Sequence, residues 1–196
     1  MKNKWIIGVD SALRNTAYTV MDNMGNRVET YNIRTKTGTA DWRSIDFIVK
    51  EFFERLERYL TPPAGYGRPP VSVFIEDIKY TRVGDKTHAR AELIGTIKWL
   101  LRQERINIYG VDPGAANSFL DGRFGLEKTM TTVQGKKVKR NRDAQKAHTK
   151  AVVHRYCNFY TRDDNEADSY VMALLGYAKL IEKQHISTTP MCEPRY

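Results

Sequence analysis

Residues 5–20 read WIIGVDSALRNTAYTV, an apolar run that ends in an acid, crosses a short polar connection and starts a second apolar run. Side chains alternate between the two faces of a strand, so Ile6, Gly8 and Asp10 share one face. Asp10 therefore ends a strand on a face whose other positions are apolar or empty. An acid in this place can simply begin a turn, because Asp accepts local backbone hydrogen bonds. A functional carboxylate is the alternative, and it requires other acids at the same edge of the fold.

Length and composition limit the class of protein. The chain has 196 residues, 41% of them hydrophobic, which predicts one domain with a sizeable core. No stretch reaches the roughly 18 apolar residues that a membrane span needs, so we expect a cytoplasmic protein without a membrane partner. Cys157 and Cys192 fit neither a disulfide framework nor a zinc site, and we expect both to be unpaired.

Positive charge is in excess over the whole chain and is concentrated in one segment. The net charge is +9 at pH 7. The basic residues of the segment 136–155 are Lys136, Lys137, Lys139, Arg140, Arg142, Lys146, Lys150 and Arg155. A solvated helix face or a disordered loop can carry such a run. Nucleic acid is the favoured partner, because the excess is global as well as local.

The order of predicted elements indicates an α/β fold. Strands are expected at 4–10, 16–22, 27–34, 71–78 and 106–112, and helices at about 41–59, 86–105, 143–157 and 164–184. A short helix should follow residue 114, with an irregular loop over about 121–140. This pattern predicts a mixed five-stranded sheet, three antiparallel strands plus two parallel, flanked by helices. We expect one domain over 1–184 and a C-terminal tail over 185–196 that can be mobile.

The fourth predicted strand also ends in acids. In VSVFIED, residues 71–77, Glu76 shares a face with Phe74, and Asp77 shares the other face with Ile75. One of the two acids must point inward or toward a cleft. The pattern alone does not choose between them, and both can lie just past the last buried position.

A third acid heads the last predicted helix. In DDNEADSYVMALLGYA, Asp168 lies three residues before Val171 and four before Met172, at the start of the apolar stripe. A buried carboxylate normally has a partner or a metal. Asp164 and Asn165 can approach the same helix face. Asp163 and Glu166 have capping-box spacing, which explains those two acids without any chemistry.

Three separated segments thus bring acids to the ends of core elements. Gathered carboxylates repel one another, and hard oxygen ligands of this kind suit Mg²⁺ or Mn²⁺. Two such ions, about 3.5–4 Å apart, can activate a water and stabilise the leaving oxygen of a phosphodiester. Together with the basic segment, the acids predict a metal-dependent nuclease.

These motifs resemble the RuvC-type Holliday junction resolvases, the crossover junction endodeoxyribonucleases of the ribonuclease H-like superfamily. The resemblance runs in order through IIGVDSALRNTAYTV, VFIEDI and DDNEADSYVMALLGYA, over about residues 4–182, and the last element is most similar to the bacteriophage and bacterial branches. It implies a ribonuclease H-like sheet and a homodimer that resolves four-way DNA junctions by paired symmetric nicks. It also implies two Mg²⁺ ions per site, with Mn²⁺ as a substitute, and the cytoplasm of a bacterial or phage-infected host cell.

The resemblance also implies roles for individual residues. Asp10, Glu76 and Asp168 match metal ligands, which selects Glu76 over Asp77. The fourth ligand matches Asp164 by spacing, with the neutral Asn165 as the alternative.

Lys146 resembles the basic residue that the family places near the scissile phosphate, with Lys137, Lys139 and Lys150 as rivals. Tyr80 resembles an aromatic that stacks on an unpaired base. The predicted DNA-binding residues are Tyr80, Lys136, Lys137, Lys139, Arg140, Arg142 and Lys150.

Two departures from the family pattern concern loops. The common Asp-Pro-Gly after the first strand is Asp-Ser-Ala here, and the loop at 121–140 is longer and more basic than usual. The second departure leaves room for another nuclease of the same fold, acting on RNA–DNA hybrids or flaps, or for a non-catalytic junction-binding protein. We expect His148 and His154 to face DNA or solvent. We expect the helix at 86–105 to form the dimer interface, because Trp99 lies outside its apolar stripe.

Overall fold

The computed structural model describes residues 4–61, 70–77, 85–126, 130–133, 136–139 and 142–192. The strands are β1 (Trp5–Asp10), β2 (Asn15–Met21), β3 (Arg27–Arg34), β4 (Val71–Glu76), β5 (Asn107–Val111), β6 (Met130–Val133), β7 (Lys136–Lys139) and β8 (Thr189–Cys192). The helices are α1 (Asp41–Leu60), α2 (Asp85–Gln103), α3 (Pro113–Arg123), α4 (Arg142–Cys157) and α5 (Asp164–Leu180). Among these described residues, no helix is both long and apolar enough to span a membrane.

One mixed sheet carries the fold, in the strand order β3-β2-β1-β4-β5-β8. The first three strands form an antiparallel meander, and β1, β4 and β5 pair in parallel. This agrees with the predicted α/β arrangement in all but the strand count, which is six rather than five. The additional strand is β8, which pairs antiparallel with β5. It is short, lies at the sheet edge and contains Pro190, so it lacks the alternation by which strands are recognised.

The segment predicted as an irregular loop over 121–140 is partly regular. The helix α3 continues to Arg123, and β6 and β7 pair antiparallel in a separate two-stranded sheet, with Met130 opposite Lys139 and Val133 opposite Lys136. The loop prediction was wrong there because β6 and β7 have only four residues each, and three of the four in β7 are lysines, which are depleted in strands. The predicted DNA-binding residues Lys136, Lys137 and Lys139 belong to β7.

Helices cover both faces of the main sheet. The helices α1 and α2 pack on one face against Ile7 and Val9 of β1, while α3, α4 and α5 pack on the other against Ile6. The alternation in β1 decides this division, because successive side chains point to opposite faces. Asp10 shares the parity of Ile6 and Gly8, so it lies on the α5 side.

The helix α5 crosses β1 at unusually close range. A Cβ atom at Gly8 would collide with the carbonyl oxygen of Ser169 and the amide nitrogen of Ala173. Only glycine allows two backbones to approach this closely. A buried hydrogen bond of 2.9 Å between the hydroxyls of Thr19 and Ser169 ties the same turn of α5 to β2. Asp168, the neighbour of Ser169, is therefore held at the end of β1.

The first turn of α5 is anchored by a side-chain cap. Asp163 is the N-cap, and its carboxylate accepts hydrogen bonds from the backbone amides of Asn165 and Glu166. The same carboxylate accepts from Asn15 at 3.1 Å and from Arg34 at 3.0 Å. Glu166 instead accepts from the Thr161 hydroxyl at 2.7 Å. The cap thus joins the start of α5 to the β2 and β3 end of the sheet.

Candidate active site

Two acids lie side by side where the central parallel strands end. The register pairs Val9 of β1 with Ile75 of β4, so the next residues, Asp10 and Glu76, occupy neighbouring positions at the carboxyl edge. Asp10 is only 8% exposed. Asp77 takes a different direction, because its carboxylate oxygen Oδ1 lies 3.6 Å from Nζ of Lys98 in α2. Of the two acids that the strand pattern left open, Glu76 is the one beside Asp10.

Asp168 joins this pair from α5. Burial, together with the negative charges of Asp168 and Glu76, raises the pKa of Asp10 to about 8 against the opposing charges of Arg90 and Lys146. Burial also raises the pKa of Asp168 to about 6, against the opposing charge of Lys146 and with support from Asp164. Glu76 and Asp168 are therefore close enough to Asp10 to disfavour its ionisation, and Glu76 likewise acts on Asp168. We call Asp10, Glu76 and Asp168 the carboxylate cluster.

Asp164, one turn before Asp168, has two cationic partners. Its carboxylate oxygens lie 2.8 Å from Nζ of Lys146 and 2.6 Å from Nζ of Lys150, both on α4. Burial raises the pKa of Asp164, but the hydrogen bonds from the two lysines outweigh it and hold that pKa below its usual range. Asn165 is directed elsewhere, since its side-chain amide donates to the carbonyl oxygen of Asn15. Of the two candidates for a fourth ligand, Asp164 is the one whose charge acts on Asp168.

Arg90 also reaches the carboxylate cluster, and the sequence analysis did not single it out. Its Nε donates to the carbonyl oxygen of Ser11 at 2.8 Å. Its Nη2 contacts the carboxylate of Glu76 and lies 3.8 Å from Oδ1 of Asp10.

The sequence did contain a signal for Arg90. It precedes the buried residues Leu93 and Ile94 by three and four positions, just as Asp168 precedes Val171 and Met172. Arg90 thus heads the apolar stripe of α2, and a charge at the head of a buried stripe is the same signal that identified Asp168.

The chemistry of the cluster fits a divalent cation. The carboxylate oxygens are hard donors of the kind that Mg²⁺ prefers, and a cation would relieve the repulsion that helps to raise the pKa values of Asp10 and Asp168. Within the part of the chain that the structure describes, however, no three His, Cys, Asp or Glu side chains converge closely enough to hold a metal ion. In this arrangement the positive groups of Arg90, Lys146 and Lys150 lie against the acids instead.

The start of α4 lines the site with positive charge. Lys146 acts electrostatically on both Asp10 and Asp168, and Arg142 also opposes the raised pKa of Asp168. The predicted DNA-binding residues Arg142 and Lys150 therefore lie on the same rim as Lys146. We call Arg142, Lys146 and Lys150 the basic rim. Tyr80 and Arg140 lie outside the described residues.

The two histidines of α4 differ from each other. His148 lies 2.7 Å through Nε2 from Oδ1 of the buried Asp121, so it links α4 to α3. The expectation that His148 faces DNA or solvent was wrong, because its ring nitrogen Nε2 is hydrogen-bonded to the carboxylate of Asp121 on the neighbouring helix. His154 is exposed and meets the exposed ring of Tyr160 edge-on, with centroids 5.2 Å apart.

Comparison with solved structures identifies the fold. No protein-family model matches the sequence, and no curated protein matches it significantly. RuvC of T. thermophilus in complex with a Holliday junction substrate has 11% identity and a TM-score of 0.63, over 97% of this chain and 100% of that chain. A second Thermus thermophilus RuvC structure has 12% identity and a TM-score of 0.60, over 96% and 99% of the two chains.

A viral protein gives a third match. The Fowlpox virus resolvase in complex with Holliday junction DNA has 16% identity and a TM-score of 0.53, over 90% of this chain and 99% of that chain. Likeness at such low identity is evidence of fold. The predicted resemblance is confirmed at this level: the chain has the ribonuclease H-like fold of the RuvC and poxvirus resolvases.

Proposed function

We propose that the protein is a metal-dependent, structure-selective endodeoxyribonuclease that resolves four-way DNA junctions by paired symmetric nicks. The observation that supports this most directly is that the charges of Glu76, Asp168 and Lys146, on three separate elements, all act on the buried carboxyl group of Asp10. The fold shared with resolvases that were solved on junction DNA supports the choice of substrate.

The carboxylate cluster and Asp164 would hold Mg²⁺, with Mn²⁺ as a substitute. When bound, two such ions would activate a water and stabilise the charge on the leaving oxygen. The water oxygen would bond to phosphorus as the bond from phosphorus to the 3′ oxygen breaks. The water would lose a proton and the 3′ oxygen would gain one, which gives 5′-phosphate and 3′-hydroxyl ends.

The basic rim has a separate task, which is to hold the phosphate. Nζ of Lys146 and Nζ of Lys150 lie 2.8 Å and 2.6 Å from the two carboxylate oxygens of Asp164, and a cation bound to Asp164 would release both ammonium groups. Ammonium groups placed here can donate to the non-bridging oxygens of a phosphate beside the carboxylate cluster and stabilise the charge that develops there. The predicted DNA-binding lysines of β7 would add further phosphate contacts, and contacts of this kind supply affinity.

A homodimer is part of the proposal. A four-way junction has approximate two-fold symmetry, so paired nicks on opposite strands require two sites related by a two-fold axis. Trp99 on α2 is 58% exposed, which favours that helix as the contact surface between subunits.

The decisive experiment compares substrates. We expect labelled four-way junctions to be nicked symmetrically in the presence of Mg²⁺, with no cleavage in the presence of a chelator. Flaps and RNA–DNA hybrids serve as matched alternatives. Preferred cleavage of either would favour another nuclease of the same fold, and junction binding without cleavage in Mg²⁺ or Mn²⁺ would favour a non-catalytic binding protein.

A further inference from the structure

Arg90 occupies the position where the proposed function requires a metal cation. One guanidinium group contacts Glu76 and lies 3.8 Å from Asp10, and both carboxylates are assigned above to the divalent ion. The Arg90 side chain comes from α2, which packs on the face of the sheet opposite to α5. Its Nε is held by the carbonyl oxygen of Ser11 at 2.8 Å, which directs Nη2 at the two acids.

The guanidinium group and a divalent ion cannot both stay in contact with Asp10 and Glu76, because the two positive charges repel each other. An arginine side chain keeps its positive charge in proteins. Two like charges about 4 Å apart near a protein surface repel each other by several times the thermal energy, and a divalent ion doubles that repulsion. A cation that binds Asp10 and Glu76 must therefore displace the guanidinium from at least one of them.

DNA offers the displaced side chain a better partner. The Arg90 side chain is 33% exposed, so its guanidinium borders solvent. Its fork of donors matches a phosphate in bidentate geometry. The basic rim would bring the phosphate backbone to the same edge, because Lys146 acts on Asp10 as Arg90 does. Transfer of Arg90 from carboxylate to phosphate would leave the acids free for the cation.

We propose that Arg90 serves as the built-in counter-ion of Asp10 and Glu76, is displaced when a divalent cation binds, and transfers to the DNA phosphate backbone. Metal binding and DNA binding are then coupled: each raises the affinity for the other, because both act on the same guanidinium. The inference rests on the proposed function, since that function assigns the cation to these acids.

The test measures metal affinity rather than cleavage. Isothermal titration of Mn²⁺ into the full-length protein compares the wild type with Arg90→Gln. We expect the variant to bind Mn²⁺ about tenfold more tightly or better, because the competing charge is gone. A merely structural role for Arg90 predicts unchanged or weaker binding in the variant, and that result would overturn the proposal.

Three further variants separate charge from fold. Arg90→Lys keeps the charge, so we expect Mn²⁺ affinity near that of the wild type; affinity as tight as that of Arg90→Gln would refute charge competition. Arg90→Met keeps the apolar stem and replaces the glutamine variant if the latter does not fold. Arg123→Gln is the matched control, because Arg123 forms an ion pair with Glu182 at 2.7 Å, and neither residue belongs to the site. It should leave Mn²⁺ affinity unchanged.

Coupling is measured by fluorescence anisotropy on a labelled four-way junction, with Ca²⁺ or with a chelator. In the wild type Ca²⁺ should tighten junction binding, and in Arg90→Gln this gain should shrink severalfold. Equal gains in both proteins would exclude the transfer of Arg90 to phosphate.

The outcomes also separate this inference from the proposed function. A wild type that cuts junctions while Arg90→Gln gains no metal affinity refutes only the role of Arg90. Tight Mn²⁺ binding by Arg90→Gln without junction cleavage by the wild type refutes only the resolvase function. Absence of Mn²⁺ binding in both proteins would refute both.

Discussion

Asp164 and Asp168 lie one turn apart on α5, and their surroundings shift the pKa values of their carboxyl groups in opposite directions. Burial raises the pKa of Asp168 to about 6, whereas Lys146 and Lys150 overcome a smaller degree of burial and lower the pKa of Asp164. The site thus has a buried carboxylate cluster and a partly exposed basic rim. The difference supports the proposed division of work, in which the cluster would bind a cation and the rim would receive a phosphate.

The largest expected effect comes from the cluster. Glu76→Gln keeps the size of the side chain but removes a charged oxygen donor, so junction cleavage should fall at least about 100-fold. A gel assay with labelled junctions and Mg²⁺ measures this. Asp77→Asn is the matched control, because the adjacent acid lies against Lys98 and should keep cleavage within about threefold. Equal losses in the two variants would contradict the assignment of Glu76 to the site.

The next largest effect concerns the contact that holds Asp168 in the cluster. Gly8→Ala places a methyl group against the backbone of Ser169 and Ala173, so the free energy of unfolding should fall by about 1–3 kcal/mol or more. Urea unfolding followed by circular dichroism measures the loss. Cleavage should fall as well, because α5 must shift away from β1.

Gly95→Ala controls for the glycine itself. Nothing lies within 4 Å of a Cβ at this exposed position in α2. Alanine is the better helix former, so this variant should gain about 0.5–1 kcal/mol in stability. A loss of similar size in both variants would show that the close approach at Gly8 is not the cause.

The difference between cluster and rim also predicts a pH dependence. The pKa values of about 8 for Asp10 and about 6 for Asp168 exceed the unfolded value of about 3.9, so the folded state binds more protons between these limits. In the presence of a chelator these two groups should therefore lower the free energy of unfolding as the pH rises from about 4 to 8.

Urea unfolding at several pH values tests this sign. Asp10→Asn and Asp168→Asn should each flatten the fall relative to the wild type, because asparagine does not titrate. The lowered pKa of Asp164 acts the other way, with stability lost as the pH falls below its unfolded value. A slope that is unchanged in both cluster variants would contradict the burial of their charges.

The smallest expected effect belongs to a single cation of the rim. Lys150→Gln should weaken junction binding a few-fold and reduce the dependence of log affinity on log salt by about 0.9, as expected for one lost phosphate contact. Anisotropy titrations between low and moderate salt measure both quantities. Lys179→Gln is the control, because Lys179 donates to the carbonyl oxygen of Ile186 at 2.7 Å and should not alter the salt slope.

Local patterns in the sequence were sufficient for much of the fold and for part of the site. Period-two alternation assigned Asp10 to the face of Ile6 and Gly8, and helical spacing placed Asp168 at the head of a buried stripe. Both inferences agree with the structure, because periodicity reports which face of an element is buried. The capping signal correctly predicted Asp163 as the N-cap of α5, because a cap bonds only within one turn of its own helix.

Contacts between elements required the tertiary structure. The strand pattern left Glu76 and Asp77 equivalent. The packing of α2 against the sheet separates them, because Asp77 forms an ion pair with Lys98 whereas Glu76 forms one with Arg90. The short edge strand β8 likewise depends on β5 as a template. A sequence pattern shows which residues of one element lie on the same face. The residues of other elements that this face contacts depend on the path of the whole chain. Arg90 shows this most clearly, since its spacing was visible and its carboxylate partners were not.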